Sequence, residues 1–475
     1  MSQRGAPIAV VAGLGLGDEG KGSFVDAWVR RQSRPGWVVR YNGGPQAAHH
    51  VVLADGRSHC FAQLGAGMLQ PGTRTLLSPF MLVEPLALLR EADRLTRLGV
   101  VEPLSRTTLS ARSVVVTPFH KLLGRLRELS RGAERHGSCG LGVGQAFLDS
   151  QNPSLPSLRV EDLLDRERLL QRLRFVQLVK VDQAEQVIDH WPMGSADAEP
   201  RALLAELQRR DWLGQLCEGY SQLVRSGITV DDGSQLRAVL ADEEQPLVFE
   251  GAQGVLLDAV HGFFPFVTPS RTSFGNAQTL LSGRAATRVG ILRAYATRHG
   301  PGPLVSEAPA LTTRLDEPHN VPNPWQGPMR VGWFDAVAAR YALAVVGGVD
   351  SLALTCLDRL AGLGQLRLCE MYQFVGPGTP DLGEFFVCDH SGRLTDIRVA
   401  VEPSLDRQRR LTALLGQCQP VYRELAPIPQ LARRSGTLTV EAEAYVEELI
   451  TALRLAPEQL GCVSIGATAA DKLWR

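Results

Sequence analysis

Apolar residues along the chain follow two alternating patterns. Short runs rich in Val, Ile and Leu, beginning with residues 7–12, are typical of buried strands. Between these runs, apolar residues recur at every third or fourth position, as in residues 24–30, which is typical of helices. The two patterns predict further strands at 38–41, 49–53, 58–61, 113–117, 247–250, 289–292, 352–355, 365–368 and 463–465, and helices at 84–98, 121–129 and across most of 160–228.

Strands that alternate with helices predict an α/β fold with a large central, mostly parallel sheet flanked by helices. The chain has no internal repeat and no low-complexity linker, so we expect one domain over residues 1–475 with a helical segment at about 160–245. In such sheets, ligands bind beyond the carboxyl ends of the strands. Glycine-rich or polar segments follow predicted strands at 13–23, 42–44, 251–254 and 355–358, which indicates one shared site.

The first of these segments reads Gly-Leu-Gly-Leu-Gly-Asp-Glu-Gly-Lys-Gly-Ser and joins a predicted strand to a predicted helix. Such a turn can hold a phosphate with backbone N–H groups and the helix dipole. The spacing fits the P-loop pattern as far as Lys21, but Gly22 stands where that pattern needs a magnesium-binding Ser or Thr. It also fits the dinucleotide fingerprint, and a tight turn without a ligand is a third interpretation. The acidic pair Asp18 and Glu19 favours chemistry, because carboxylates beside phosphates need a metal or a proton-transfer role.

Composition narrows the class of protein further. Fifty Lys and Arg residues balance fifty Asp and Glu residues, so we expect neither a nucleic-acid partner nor a membrane surface. No apolar run approaches the roughly 20 residues of a membrane span. The first residues lack a secretory signal pattern, and the eight cysteines are scattered without a CxxC pair. These features predict a cytoplasmic protein without structural zinc or a disulfide framework.

A series of motifs, in order along the chain, resembles the adenylosuccinate synthetase family. The resemblance spans about residues 8–466 and is loosest at 160–245. It implies a fold related to P-loop NTPases, with helical and small-sheet insertions. The motifs that carry it are Gly-Asp-Glu-Gly-Lys-Gly at 17–22, Gly-Gly-Pro-Gln-Ala-Ala-His at 43–49, Phe-Glu-Gly-Ala-Gln-Gly at 249–254, Pro-Phe-Val-Thr at 265–268, Arg-Ala-Tyr-Ala-Thr-Arg at 293–298, Gly-Trp-Phe-Asp at 332–335 and Leu-Thr-Cys-Leu-Asp at 354–358.

The resemblance implies a two-step ligation of a purine nucleotide. The γ-phosphoryl group of GTP moves onto the 6-oxygen of IMP, and the amino group of aspartate then displaces it. Asp18 matches the family's catalytic base, and it would also bind Mg²⁺ together with the carbonyl of Ala48. His49 matches the general acid, and Lys21 would contact phosphate oxygens. Gln253 would act on the acceptor nucleotide.

The resemblance also implies two sets of binding residues and a homodimer whose partner reaches the acceptor phosphate. Asp358 matches the aspartate that binds guanine, which favours GTP over ATP. Residues expected to bind GTP are Gly17, Glu19, Gly20, Lys21, Gly22, Ser23, Asp358, Ser464 and Gly466. Residues expected to bind the acceptor are Gln46, Ala47, His49, Cys139, Gln253, Thr268 and Arg330.

Departures from the family pattern are concentrated in the substrate-binding segments. Pro45 and Gln46 replace two asparagine-type positions, and Cys139 replaces a threonine that would bind the acceptor's 5′-phosphate. The family's cross-subunit arginine has no counterpart in 149–158, although Arg159 aligns with a neighbouring family arginine. The loop at 323–330 carries only one cation, Arg330, where the family has several, and Trp and Met suggest a more apolar ligand. Two changes weaken the guanine assignment: Cys356 replaces a lysine, and Gly-Ala-Thr at 466–468 replaces Gly-Pro-Asp-Arg.

Three hypotheses about function stay open. The first is a ligase that keeps phosphoryl activation of a lactam-type oxygen but accepts substrates other than IMP and aspartate. The second is a housekeeping adenylosuccinate synthetase with substituted contacts. The third is a nucleotide-binding regulatory protein without turnover, which intact Asp18 and His49 argue against. The sequence leaves the true acceptor, the amine and the pathway undetermined.

Overall fold

The computed structural model describes residues 7–155, 157–191, 198–315, 324–378, 380–431 and 436–475. Strands within these residues are β1 Ile8–Gly13, β2 Trp37–Arg40, β3 His49–Val52, β4 Ser58–Phe61, β5 Arg74–Leu77, β6 Leu82–Val83, β7 Thr107–Ser110, β8 Val114–Val115, β9 Thr229–Asp231, β10 Leu247–Gly254, β11 Thr287–Arg293, β12 Ala296–His299, β13 Met329–Gly332, β14 Phe334–Asp335, β15 Ser351–Thr355, β16 Leu366–Phe374, β17 Phe386–Cys388, β18 Leu394–Ile397, β19 Cys418–Leu425, β20 Leu460–Ser464 and β21 Lys472–Trp474.

Helices connect and cover these strands. The α-helices are α1 Lys21–Arg30, α2 Pro85–Arg97, α3 Pro118–Ser130, α4 Val143–Gln151, α5 Arg166–Asp189, α6 Ala198–Leu207, α7 Trp212–Arg225, α8 Ser234–Ala241, α9 Gly275–Leu281, α10 Pro309–Thr312, α11 Ala336–Val345, α12 Leu405–Leu415 and α13 Val440–Ala452. None of the described helices is long and apolar enough to cross a membrane.

The central sheet has ten strands in the order β21-β20-β15-β11-β1-β10-β2-β5-β7-β9. All neighbouring strands run parallel except β20 and β21 at one edge. Strand β1 lies between β10 and β11, with Val10 opposite Phe249 on one side and Arg288 on the other. The predicted α/β class with a mostly parallel sheet is confirmed, and the loop after β1 lies near the middle of the carboxyl edge.

Alternate residues of the central strands face opposite layers of the core. Val10 and Phe249 join one large buried cluster, whereas Val11 and Val248 join the cluster on the other face. A strand that is buried on both faces needs apolar residues at every position, because successive side chains point to opposite sides. This requirement explains why β1 is an unbroken apolar run.

The predicted strands and helices are largely confirmed, and the hairpin of β3 and β4 pairs antiparallel. The central-sheet strands β5, β7, β9 and β21 are not predicted from the sequence, and two predicted strands differ from the prediction. The strand expected at 113–117 is only β8, because it pairs with the two-residue β6 outside the central sheet. Strand β16 is longer than expected and belongs to a second sheet, where it pairs parallel with β14 and antiparallel with β18 and β19.

Three helices, α5, α6 and α7, confirm the helical segment predicted from residue 160 onward. The break expected at 191–196 lies, apart from its first residue, outside the described residues. Helix α3 begins at Pro118, three residues before the predicted start, because Thr117 and His120 form a capping box at its N-terminus. Buried Leu123 and Ala184 pack α3 against α5.

Candidate active site

The glycine-rich loop between β1 and α1 wraps around the carboxylate of Glu19. This side chain is 2% exposed, and it accepts hydrogen bonds from the backbone N–H groups of Gly15 at 3.1 Å and Gly17 at 2.8 Å. Lys21 donates from Nζ to the other carboxylate oxygen at 2.5 Å. A Cβ atom added at Gly13 would lie 2.2 Å from the Glu19 carboxylate, so glycine is required there. The three donors of a phosphate-binding loop therefore hold an internal anion.

Asp18 lies at the tip of the same loop in a left-handed backbone conformation, with φ of 61°. Its backbone carbonyl accepts a hydrogen bond from Arg293 Nε at 2.5 Å, which anchors the loop to the end of β11. The carboxylate itself has no hydrogen-bond partner among the described residues. Burial raises the pKa of Asp18, an effect that the positive charge of Arg293 partly opposes. A carboxylate that is unpaired and more basic than usual is suited to accept a proton.

His49, the first residue of β3, is buried and forms a hydrogen bond between Nδ1 and Glu250 Oε1 at 2.5 Å. The other Glu250 oxygen accepts from the Ala66 amide at 3.0 Å, and Arg40 Nε lies 4.0 Å from it. Burial lowers the pKa of His49 to about 4. Burial alone would raise the pKa of Glu250, but its contacts with His49 and Arg40 lower it. The result is an ionised Glu250 that orients a neutral imidazole.

Gly22 explains why this loop departs from the P-loop pattern. A Cβ atom at position 22 would lie 2.6 Å from the Cβ of His49 and 2.9 Å from its backbone, distances that real side chains do not reach. The start of α1 can therefore approach β3 only through a glycine. In this chain, His49 fills the space that a side chain at position 22 would need.

The predicted acceptor residues surround the carboxyl end of β10. Gln253 has a left-handed φ of 58°, and its Oε1 is buried without a hydrogen-bond partner. The Oε1 of Gln46 is buried without a partner as well. Unpaired buried acceptors are rare in folded proteins, so these two amide oxygens indicate where ligand donors belong. Ala47 is also buried, and the Thr268 hydroxyl lies 3.3 Å from that of Ser270.

Residues predicted to bind the GTP base gather beyond β15 and β20. Thr355 donates to the Glu19 carbonyl at 2.7 Å, which joins the end of β15 to the glycine loop. Burial raises the pKa of Asp358, which lies within the electrostatic field of Lys472. The hydroxyl of Ser464 donates to the Gly466 carbonyl at 3.0 Å.

Ser23 donates from its hydroxyl to the carbonyl of Ala467 at 3.0 Å, so the start of α1 is joined to the segment after β20. Lys472 donates from Nζ to the same segment, at the carbonyls of Gly466 and Thr468. These bonds bring the predicted GTP residues of the glycine loop and of the C-terminal segment together.

Arg330, predicted to bind the acceptor, has a guanidinium group that is already occupied. It forms a bidentate ion pair with Glu307, in which Nε lies 2.9 Å from Oε1. Its Nη1 donates to the carbonyls of Gly300 at 3.1 Å and Gly302 at 2.8 Å. Of the loop predicted at 323–330, Asn323 lies outside the described residues.

Cys139 lies in the second glycine-rich loop, where burial raises the pKa of its thiol. The next residue, Gly140, lies against Trp325, because an added Cβ would be 2.8 Å from the indole. The guanidinium of Arg125 lies 5.0 Å from the centre of the same indole ring. This corner of the site therefore combines an indole ring with the guanidinium that lies over it.

Sequence reasoning did not identify Glu250, Arg40 and Arg293 as site residues. Glu250 stands within the quoted motif at 249–254, but only contact with His49, 201 residues earlier, shows its role. Arg40 offered a signal, since a charged residue at the end of an apolar strand is unusual. It is fully buried and donates to the carbonyls of Ala62 and Leu64.

Among the described residues, no group of three or more His, Cys, Asp or Glu side chains could hold a metal ion. The expected magnesium ligands, the Asp18 carboxylate and the Ala48 carbonyl, are hard oxygen donors. Mg²⁺ prefers such oxygens and usually keeps several waters when bound to one or two carboxylates. The unpaired Asp18 carboxylate therefore fits Mg²⁺.

Fold and site together define an α/β enzyme with a phosphate loop in which an acid, a lysine and a histidine lie close together. A family model described as adenylosuccinate synthetase matches residues 10–470. The adenylosuccinate synthetase of Myxococcus xanthus is 33% identical over 382 residues, 79% of this chain and 83% of that protein. The enzyme of Thermosynechococcus vestitus is 30% identical over 466 residues, 96% of this chain and 92% of that protein.

Two solved structures share the fold. The fully ligated adenylosuccinate synthetase from Plasmodium falciparum has 20% identity and a TM-score of 0.77, and the match covers 99% of this chain and all of that one. The cyanophage S-2L succinoaminodeoxyadenylate synthetase, bound to dGMP and to dATP as energy donor, has 17% identity and a TM-score of 0.55, covering 99% of this chain and 96% of that one.

The chain therefore belongs to the adenylosuccinate synthetase family, so it is an enzyme of the carbon–nitrogen ligase class. Within that family it is a GTP-dependent ligase that acts in purine nucleotide metabolism. The resemblance in the sequence motifs is confirmed. The individual site residues stay predictions.

Proposed function

We propose that this ligase phosphorylates a lactam-type oxygen of an IMP-like purine nucleotide and then replaces it with an amine other than aspartate. In the first step, the bond between the γ-phosphorus of GTP and its bridging oxygen breaks, and a bond from phosphorus to the lactam oxygen forms. In the second step, the amine nitrogen forms a bond to the ring carbon that carries the phosphorylated oxygen, the bond between that carbon and the oxygen breaks, and inorganic phosphate leaves. The amine nitrogen then loses one proton to water. The observation that carries the proposal is the unpaired, more basic Asp18 carboxylate beside Lys21.

Asp18 would remove the ring N–H proton and so make the lactam oxygen nucleophilic. The ring proton thus transfers to an Asp18 carboxylate oxygen. Mg²⁺, held by Asp18 and the Ala48 carbonyl, would neutralise charge on the transferring phosphoryl group. Lys21 would exchange its bond with Glu19 for phosphate oxygens, because an ammonium group pairs with either anion.

His49 would stabilise charge on the transferring phosphoryl group through Nε2. The bond to Glu250 fixes the proton of the neutral ring on Nδ1 in the absence of ligand, and a second proton on Nε2 would make it a donor to an arriving phosphate. The buried Glu250 supports that charged state because an anion beside an imidazole favours protonation.

Altered substrates are supported by the occupied Arg330. The sequence has no Lys or Arg between Arg314 and Arg330. A dicarboxylate binds through charge-assisted bonds worth roughly 1.5–3 kcal/mol each, and Arg330 would have to leave Glu307 to provide one. We infer that the amine carries fewer negative charges than aspartate.

The second candidate is a housekeeping enzyme that makes adenylosuccinate from IMP and aspartate. Identities of 30–34% to curated adenylosuccinate synthetases over most of the chain favour it.

The deciding experiment incubates the pure protein with GTP, Mg²⁺ and a panel of purine nucleotides and amines, with phosphate release and product mass as readouts. Rapid formation of adenylosuccinate from IMP and aspartate would identify the housekeeping enzyme and overturn altered substrates. GTP binding without phosphate release across the panel would contradict the proposed reaction.

We also propose one domain, a cytoplasmic location and a homodimer. The dimer is supported by apolar side chains that are exposed on neighbouring helices, among them Leu148 of α4 and Leu178 of α5. The two helices are joined by an ion pair between Asp149 and Lys180 at 2.6 Å. Sedimentation velocity tests the dimer, and Leu178→Glu is expected to give monomers.

A further inference from the structure

A cleft of about 290 Å³ lies between α4, the segment at 79–82 and the loop at 270–276. Among the described residues, no carboxylate lines this cleft, whereas two arginines do. The charged and polar lining residues are Arg159, Arg271, Ser150, Gln151, Ser270 and Asn276. A lining with two cations, several neutral hydrogen-bonding groups and no anion is complementary to a negatively charged group.

The guanidinium of Arg271 is largely available to a ligand. Its side chain is 48% exposed, and among the described residues it forms one ion pair, in which Nε lies 3.5 Å from Asp258 Oδ1. The buried Asp258 is satisfied by backbone donors, including the N–H groups of Val260 at 2.9 Å and Thr272 at 2.7 Å. The hydrogen bonds of Asp258 therefore stabilise its own loop, and the remaining N–H groups of Arg271 are available to a ligand.

The guanidinium group of Arg159 is also largely available to a ligand. One guanidinium nitrogen donates to the Arg112 carbonyl at 2.7 Å, and no carboxylate of the described residues lies within ion-pair distance. Its backbone forms a bridge with Val114 at the end of β8, which fixes its position beside the cleft. Arg330, by contrast, is bound to a carboxylate and two carbonyls.

Direct contacts join the cleft to the predicted acceptor residues. Asn42 donates from Nδ2 to the carbonyls of Ala252 and Arg271, both at 3.0 Å. The Asn42 side chain therefore joins the backbone at Arg271 to the residue that precedes Gln253. Ser270 in the cleft wall lies within hydrogen-bond distance of Thr268. The cleft therefore continues the acceptor site.

We propose that Arg271 and Arg159 bind the phosphate monoester of the acceptor nucleotide in this cleft. The proposal rests on the proposed function, in which the acceptor is a nucleotide. Arg271 and Arg159 would supply the positive charge that residues 149–158 lack. They would also supply a phosphate contact in place of the threonine that Cys139 replaces. Two guanidinium groups from different loops can each offer paired N–H donors to phosphate oxygens.

The test is calorimetric binding without turnover. Titrants are IMP, GMP and dGMP, each compared with its nucleoside, on the wild-type protein and on Arg271→Met. We expect the wild type to bind at least one monophosphate at least tenfold more tightly than its nucleoside. Arg271→Met should reduce that ratio about tenfold, while Arg271→Lys should retain part of it.

The matched control is Arg237→Met, which removes an exposed arginine of α8 that lies outside the cleft lining. Its ratio should equal that of the wild type. The proposal is overturned if no monophosphate binds at millimolar concentration, if nucleosides bind as tightly, or if Arg271→Met leaves the ratio unchanged. An equal loss in Arg237→Met would also overturn it, because the effect would then be one of net charge. Monophosphate binding through Arg271 without any ligase activity would instead reject the proposed function and leave this cleft assignment standing.

Discussion

Charged side chains are paired differently in the glycine loop and in the proposed substrate site. In the glycine loop, Lys21 is held by Glu19 within one short segment, and Asp18 is left unpaired at the tip. In the proposed substrate site, Arg330 of β13 is bound to Glu307, 23 residues away, and to two carbonyls. The first arrangement can exchange an internal anion for a phosphate by moving one side chain. The arrangement around Arg330 changes only when its bidentate ion pair with Glu307 breaks. We therefore expect it to determine which substrate binds, and not the rate of phosphoryl transfer.

We infer that the proposed catalytic groups and the proposed recognition groups can change independently of one another within one site. The catalytic groups are constrained by close packing, as the contact between Gly22 and His49 illustrates. Cys139, one of the proposed recognition groups, lies on a loop, where a changed side chain can alter ligand contacts without disturbing the central sheet.

Removal of the Asp18 carboxylate should give the largest effect. Asp18→Ala is expected to lower kcat at least about 10³-fold, because general base catalysis contributes 10²–10⁴-fold and the same carboxylate would bind Mg²⁺. Phosphate release with the best substrate pair measures it. Asp55→Ala, at an exposed turn, is the control and should retain full activity. Turnover above a tenth of the wild-type rate in Asp18→Ala would exclude Asp18 as the base.

Glu250→Gln should have the next largest effect, about 10²-fold on kcat with little change in the KM for GTP. The amide keeps the size of the side chain but removes the anion that supports a charged His49. ¹⁵N NMR of histidine-labelled protein would follow the proton on His49 Nδ1, whose signal should shift in this variant and vanish in His49→Gln.

Glu91→Gln is the matched control for Glu250→Gln. Glu91 is another buried carboxylate, and it accepts from the amides of Ala62, Gln63 and Leu64 without contacting His49. Its substitution should alter the free energy of unfolding but leave the His49 resonance in place. Equal losses of kcat in both variants would mean that Glu250 acts only through stability.

Gly22→Ala should destabilise the fold by about 1–3 kcal/mol, since the added methyl group must displace the backbone of His49. Urea unfolding measures the free energy of unfolding, and kcat should fall because His49 moves. Gly144→Ala, where an added Cβ meets no atom within 4 Å, should be neutral or stabilising by up to about 1 kcal/mol. If the two variants are equally stable, the start of α1 is not packed as tightly as described.

The sequence predicts the middle of the central sheet because β1, β10 and β11 contain apolar runs that must be buried on both faces. It does not predict β7, Thr-Thr-Leu-Ser, which is fully buried although three of its four residues are polar. Asp18 and Lys21 could be predicted because local spacing carries their role. Partnerships such as His49 with Glu250, or Arg330 with Glu307, join distant segments, and only the folded chain brings them together.

Glu307→Gln should have the smallest effect and act on specificity alone. The substitution removes the anion that neutralises Arg330, so the guanidinium becomes available to a substrate carboxylate. We expect the KM for aspartate, or for another dicarboxylate amine in the panel, to fall about threefold to tenfold, with the KM for GTP unchanged. Glu370→Gln is the control, because Glu370 pairs with Arg423 in the second sheet at 2.9 Å, away from the acceptor residues. If Glu307→Gln instead raises the KM for every amine, then the ion pair supports amine binding by holding the loop in place, and Arg330 is a structural residue in this chain.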